Sequence, residues 1–252
     1  MRKSLALIAA ALAPLGLASA IATAMPQAAS GATATYKLTT MKLPNGTTVP
    51  LRWNGCQKAI TWKANLAAVP LSQRTAVLSE TKTAVARIAS YAGFTFSYKG
   101  YTTEVPTPGS MTKQSAELVV AYTSPTKTKY DLYGSILGQG GLYGAWVSRT
   151  SSGRTSYTTA ALRGFVVVDT PQMLAQTSAG FGAGTRRTNL LLHELGHAFG
   201  LQHVSTTAQQ MYPTLTRSSP SGLASGDRYG LYKGGKSAGC INTAYMPLAD
   251  LS

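Results

Sequence analysis

Acidic residues are scarce in this chain. Eight Asp and Glu stand against 23 Lys and Arg in 252 residues, a formal charge of +15. That imbalance bears on solubility and on affinity for anionic surfaces, and not on fold. The acids are Glu80, Glu104, Glu117, Asp131, Asp169, Glu194, Asp227 and Asp250. They are dispersed, and hard cations want clustered oxygen ligands, so nothing in the sequence supports a calcium site. Asp131 and Asp169 could still contribute to one by meeting in space or together with backbone carbonyls. The basic residues are scattered too, with no nucleic-acid motif and no basic stripe alternating with tyrosines. No nucleic-acid partner is expected. Beyond the N-terminal segment no apolar run is long enough to cross a bilayer, so no membrane span is expected. Internal repeats and long low-complexity linkers are absent, which argues against a second domain.

Cysteine is nearly absent: Cys56 and Cys240 are the only two. What precedes them sets their redox context. Arg2 and Lys3 open the chain, an apolar run follows from Leu5 to Ala18, and small-x-small cleavage sites lie at Ala18–Ala20 and Ala22–Ala24. Residues 1–24 therefore read as a signal peptide, and the protein is expected to be secreted, extracellular or cell-wall associated. No cysteine lies near the cleavage region, which disfavours a lipid anchor. In an exported chain two cysteines most simply form one disulfide. A Cys56–Cys240 bridge would close a loop of about 185 residues, for which the chain-entropy account assigns roughly 5 kcal/mol. The alternative is that Cys56 is a thiolate capping a metal in a latent form. Residues 25–50 are rich in Ala, Thr, Gly and Pro and read as a loose N-terminal arm or short pro-segment.

Histidine is the third scarcity, and the most informative. All three lie in His193-Glu194-Leu195-Gly196-His197-Ala198-Phe199-Gly200-Leu201-Gln202-His203. A helix carries residues four apart on one face, so His193 and His197 can grip one ion together. Glu194 beside them can hold a water on that ion. Gly200 accepts a left-handed backbone and lets the chain leave the helix, so that a turn brings His203 back to the same metal. Three neutral imidazoles with one open position are the arrangement expected of catalytic zinc. A bare His-Glu-x-x-His also arises by chance on helices. Here five positions are fixed, and no histidine is spent elsewhere.

Strand and helix patterns surround this stretch. Ala59–Lys63, Phe94–Tyr98, Ala116–Tyr122, Ala145–Val147 and Gly164–Asp169 read as strands, the last being β-branched and closed by Pro171. Ser72–Tyr91 has apolar residues at helical spacing and is stopped by Gly93. The second helix is expected from Arg187 or Thr188 to Gly200, with Leu191, Leu195 and Phe199 on its apolar face. Gly180, Gly182 and Gly184 make a flexible approach to it. Strands followed by a second helix predict an α+β domain, a twisted sheet with two long helices packed on it.

The stretch His193–His203, with Met211-Tyr212-Pro213 after it, resembles the metzincin clan of zinc endopeptidases, closest to the matrixin branch and its small secreted bacterial relatives. The likeness extends to Leu223–Leu231, with Gly226-Asp227-Arg228 in a C-terminal helix, and more weakly to Cys56–Trp62 and Ala116–Tyr122. It implies a metzincin-like zincin: a twisted mixed sheet, two long helices and a small C-terminal subdomain after the zinc helix, over residues 51–252. It implies zinc on His193, His197 and His203, Glu194 as general base, and Met211 in a tight turn under the metal. Asp227 becomes a helix acid that anchors this turn or a plain solvated carboxylate. Val204 departs from the pattern, since matrixins usually show a serine there. Pro213 stands where some branches place a zinc-binding tyrosine, so no fifth protein ligand is expected. No spare histidines exist for a second, structural zinc site.

A secreted zinc-dependent endopeptidase, monomeric and acting on polypeptides, is the function so implied. The substrate would pair with a sheet edge, for which Leu142–Val147 is the candidate, and Thr214–Gly222 would wall a specificity pocket. Two rival readings stand beside it. One is a zinc amidase acting on cell-wall peptides. The other is a non-enzymatic basic module with structural zinc that binds anionic cell-wall polymers.

Overall fold

A computed structural model describes residues 35–110, 113–244 and 246. The leader expected over 1–24, the start of the 25–50 arm, and Asp250 lie outside them. The first described elements are β1 (Thr40–Lys42) and β2 (Thr48–Pro50), an antiparallel ribbon closed at Gly46, whose φ is 83°. This part of the expected loose arm is tied down. Thr39 N–H donates to the Gly200 carbonyl at 2.7 Å, and Gln202 N–H to the Lys37 carbonyl at 2.8 Å.

Five strands form the main sheet: β3 (Ile60–Asn65), β4 (Phe96–Tyr101), β5 (Leu118–Thr123), β6 (Gly138–Ser151) and β7 (Arg154–Asp169). Their order is β4-β3-β5-β7-β6. All neighbours are parallel except β6, which runs antiparallel to β7 and, among the described residues, has no ladder on its outer side. The central strands read as continuous β-branched and apolar runs because both their faces are covered. Every residue of β5 is buried. The β6–β7 connection is a two-residue turn, with Ser152 at φ 49° and Gly153 at φ 75°, the positive pair that matches strand twist in a tight hairpin.

Helices α1 (Arg74–Ala92), α2 (Thr170–Gln176), α3 (Arg187–Ala198) and α4 (Ser225–Gly234) complete the fold. This is an α+β domain with a mixed sheet, as the pattern implied. α1 buries Val77, Ala84, Val85, Ile88 and Ala92, and α3 buries Leu190, Leu191, Leu192, Leu195 and Ala198. Both contribute to one core with Ile60, Trp62, Leu118, Val120, Val166 and Val168. α1 ends at Gly93 in the left-handed region, φ 75°, where its N–H reaches the Ala89 carbonyl.

The expected strands are all present, with ends displaced by a few residues. Three differences are larger. The Gly164–Asp169 strand is only the end of β7, which starts at Arg154. The Ala145–Val147 strand is the middle of the much longer β6, which starts inside the glycine-rich run. α2 was not anticipated; Pro171 lies in its first turn, and Asp169 caps it by accepting from the Gln172 N–H at 3.2 Å. Cys56 and Cys240 are joined, so the thiolate alternative for Cys56 is overturned.

Candidate metal centre and its cleft

The centre is built on α3, and both ends of that helix are held. At the start, Arg187 pairs with Glu80 of α1, and the same carboxylate accepts the Gly180 N–H at 2.7 Å. Thr188 Oγ1 donates to the Gly180 carbonyl at 2.6 Å, and Asn189 Nδ2 to the Gly182 and Gly184 carbonyls at 2.8 and 2.9 Å. The glycine approach expected to be flexible is thereby pinned. At the far end Trp53 Nε1 donates to the Ala198 carbonyl at 3.1 Å. Gly200, at φ 87°, turns the chain so that Leu201 N–H reaches back to the Gly196 carbonyl.

That turn brings the three histidines together. His193 Nε2 and His197 Nε2 each lie 3.0 Å from His203 Nε2. Among the described residues this is the one group of three or more potential metal-ligating side chains close enough to share an ion. The tautomers follow from the opposite nitrogens. His193 Nδ1 donates to the Gln210 carbonyl and His197 Nδ1 to the Leu201 carbonyl, both at 2.8 Å. With the proton on Nδ1, Nε2 presents a lone pair. Three lone pairs facing one another repel unless a cation lies between them. Those two separations are near the roughly 3.4 Å that tetrahedral Zn–N bonds of about 2.1 Å require. Burial keeps the rings neutral, pushing His193 down to about 3 and His197 to about 4, with neighbouring imidazoles adding to the effect. The donor set fits zinc, and all three histidines line a cavity of about 590 Å³.

Glu194 lines the same cavity. It is 5% exposed, and burial pushes its carboxyl up to about 8, against the pull of an N–H donated by Gly140 of β6. Edge strand and zinc helix touch here because β6 carries glycines. A Cβ on Gly140 would run into the Glu194 carbonyl, and one on Gly138 would sit 3.1 Å from Glu194 Cγ.

The turn after the third histidine supports the site from beneath. Met211 is buried, and its sulfur lies over Gly196, where a Cβ would come within 2.5 Å of it. Tyr212 N–H closes the turn onto the Gln209 carbonyl at 3.2 Å. Asp227 is the anchor, not a solvated carboxylate. It is buried and accepts backbone N–H groups from Gln210 at 2.7 Å, Ala224 at 2.8 Å and Met211 at 3.2 Å. One carboxylate thus ties the start of α4 to the turn whose Gln210 carbonyl orients His193.

The expected wall Thr214–Gly222 contributes Thr214, Leu215 and Ser219 to the cavity. The expected edge is displaced. Ser135–Gly140 line the cavity, whereas Leu142–Val147 lie further along the same strand. Leu142 packs toward Gly200, and Trp146 stacks edge-on against Tyr157. Asp131 and Asp169 serve locally: Asp131 Oδ1 accepts from Tyr133 N–H at 3.1 Å, and Asp169 caps α2. Sequence reasoning missed Gly196, the Arg187–Glu80 pair, Trp53 and the strap at residues 37–39. The alternating glycines Gly138 and Gly140 were the one available signal, since glycines inside a strand mark close backbone approach.

Residues 144–233 match the family model for matrixin, Peptidase_M10. The match spans most of β6, the zinc helix, the turn and nearly all of α4. The comparison with curated proteins finds no match.

Proposed function

Because the chain carries a matrixin-family domain, with zinc held by His193, His197 and His203 in a metalloendopeptidase, we propose that Glu194 is its general base and acid and that it works on polypeptides outside the cell. Zinc, when bound, supplies positive charge that makes an adjacent water acidic and polarises a carbonyl. The chain's own residues do the rest. Glu194 takes the proton as that water attacks a peptide carbonyl, then passes it to the leaving amine. The Gly140 N–H orients the carboxylate. The outer side of β6 offers backbone groups with which an extended peptide can pair. No helix among the described residues is long and apolar enough to cross a membrane.

The observation that carries the reading is Glu194, buried beside three converging imidazoles in a cavity floored by the zinc helix and bordered by the edge strand β6. Replacing Glu194 with Ala should leave one zinc per chain and abolish turnover of an unstructured substrate such as casein. Casein cleaved as fast by Glu194→Ala as by the parent would rule the mechanism out. Cleavage of purified peptidoglycan without cleavage of casein would replace it with the amidase reading. Recovery of the chain from culture medium, shortened near Ala24, tests the extracellular assignment.

A further inference from the structure

The three histidines are not held equally. His193 and His197 stand on a helix, and each ring is fixed by its Nδ1 bond to a carbonyl. His203 stands on a turn, and among the described residues no protein group bonds its Nδ1. Its place depends on its backbone, which is clamped on both sides. After it, Val204 N–H donates to the Met211 carbonyl at 3.1 Å. Before it, the clamp is the N-terminal strap. Leu38 pairs with Leu201 as an antiparallel bridge. Thr39 N–H donates to the Gly200 carbonyl at 2.7 Å, and Gln202 N–H to the Lys37 carbonyl at 2.8 Å. Gln202, the residue next to His203, also donates from Nε2 to Thr39 Oγ1 at 2.8 Å.

Helix α4 is shaped to seat the strap. Gly226, Gly230 and Gly234 recur at four-residue spacing, which puts them on one face. A Cβ on Gly226 would strike the Thr35 carbonyl, one on Gly230 would come within 2.9 Å of Tyr36 Cβ, and one on Gly234 within 3.3 Å of Leu38 Cδ2. Glycine weakens a helix interior relative to alanine. Three among the ten residues of α4 are explained by the backbone and side chains that lie against them. Tyr36 also packs edge-on against Tyr229, with ring centroids 5.3 Å apart. The strap thus joins the helix whose Asp227 anchors the Met211 turn to the turn that carries His203. None of its residues lines the metal cavity. A pro-segment that inhibits covers the cleft or ligates the metal, and the described part of this arm does neither.

From these observations we propose that Lys37, Leu38 and Thr39 are positioning residues for His203, and that the catalytic unit therefore begins upstream of Tyr36. The arm is a working part of the enzyme. Its removal disables the metal centre instead of unmasking it, and any removable pro-segment ends before Thr35. The inference rests on the zinc site alone, so zinc affinity reads it whatever the substrate.

The test is made on the whole chain. Zinc affinity is measured by chelator competition, and the visible spectrum of the cobalt(II)-loaded protein reports ligand geometry. Thr39→Pro removes both the N–H that reaches Gly200 and the hydroxyl that holds Gln202. It should weaken zinc binding about tenfold, as expected when the bonds that support a ligand are lost, and alter the cobalt spectrum. Thr39→Ser keeps both groups and should match the parent in both readings. A folded Thr39→Pro with the parent's zinc affinity and spectrum overturns the proposal, as does equal weakening in Thr39→Ser. Should the proline variant not fold, a site-specific protease sequence placed in the exposed turn Pro44–Thr48 serves instead. Cutting the folded protein there, followed by gel filtration, should lower zinc affinity, and a synthetic peptide of residues 35–44 should restore it. Affinity unchanged after the cut, or lowered and not restored by the peptide, overturns the proposal equally.

Discussion

At the scale of single residues, burial moves the proton affinities of neighbouring groups in opposite directions. His193 falls from 6.5 to about 3 and His197 from 6.5 to about 4, each mainly by desolvation, and His203 is lowered for the same reason. Without metal, the unfolded chain therefore binds more protons than the folded one below pH 6.5. Stability is lost as pH falls through that window. Glu194 rises from 4.5 to about 8, also by desolvation, so the folded chain holds the extra proton there and stability is lost as pH rises. Three histidines outweigh one carboxyl below pH 6.5, and Glu194 acts alone above it. Their combined contribution to metal-stripped protein should peak near pH 6.5. Glu194→Gln should keep the acid decline and lose the alkaline one. Urea midpoints across pH for the two proteins decide this; an alkaline decline undiminished in the variant contradicts it. Gly196 makes a steric prediction. A Cβ there would sit 2.5 Å from Met211 Sδ. Gly196→Ala should cost about 1–3 kcal/mol by overpacking and weaken zinc binding. Chemical denaturation with a parallel zinc titration checks both, and wild-type values in each would show that the turn gives way freely.

At the scale of elements, the load falls on the turn between α3 and α4. Asp227 accepts three backbone N–H groups there while buried. Asp227→Ala leaves those donors without a partner, and the expected loss is about 2–5 kcal/mol. Zinc affinity should drop with it, because the Gln210 carbonyl that orients His193 belongs to the same turn. Zinc competition against a chromophoric chelator measures the second effect. Unchanged affinity in a folded variant would disconnect the anchor from the metal. Asp227 also marks how far the sequence could be read. A carboxylate in a helix with one glycine before it carries no local sign of burial, and its three partners lie up to 17 residues away. The zinc ligands were legible because two share a helical face and the third follows a glycine, all within local reach. α1 and the end of β7 were legible from periodicity and β-branching. Of β6 only the middle, Ala145–Val147, was, because its cleft end is mostly glycine and its outer end is Ser, Thr and Arg. Such a segment is a strand by virtue of pairing with β7, a contact absent from its own composition. The ribbon β1–β2 pairs locally, but each of its strands is only three residues long, too short for alternation to show.

For the molecule as a whole, the ends of the described chain converge. Cys56 and Cys240 are bonded with their Cα atoms 4.8 Å apart, and Arg52 donates to the Ala238 and Gly239 carbonyls at 2.9 and 2.8 Å. Neither cysteine lines the cavity that holds the histidines. Replacing both cysteines with serine should lower stability by about 2–5 kcal/mol. Zinc affinity and kcat should be unaffected when measured well below the melting temperature. A parallel loss of zinc affinity would mean that the clasp reaches the metal.

The strap at Lys37–Thr39 has a consequence in time. It hydrogen-bonds to Gly200 and Gln202, inside the span between the second and third histidines, and Gln202 Nε2 also reaches Thr39 Oγ1 at 2.8 Å. Among the described residues the earliest to leave the ribosome therefore wait for some of the latest, and the turn that orients His193 waits later still, for Asp227. A nascent chain that has exposed all three histidines still lacks the carboxylate that fixes their frame. Synthesis itself therefore holds the metal centre without its frame until residue 227 has been made.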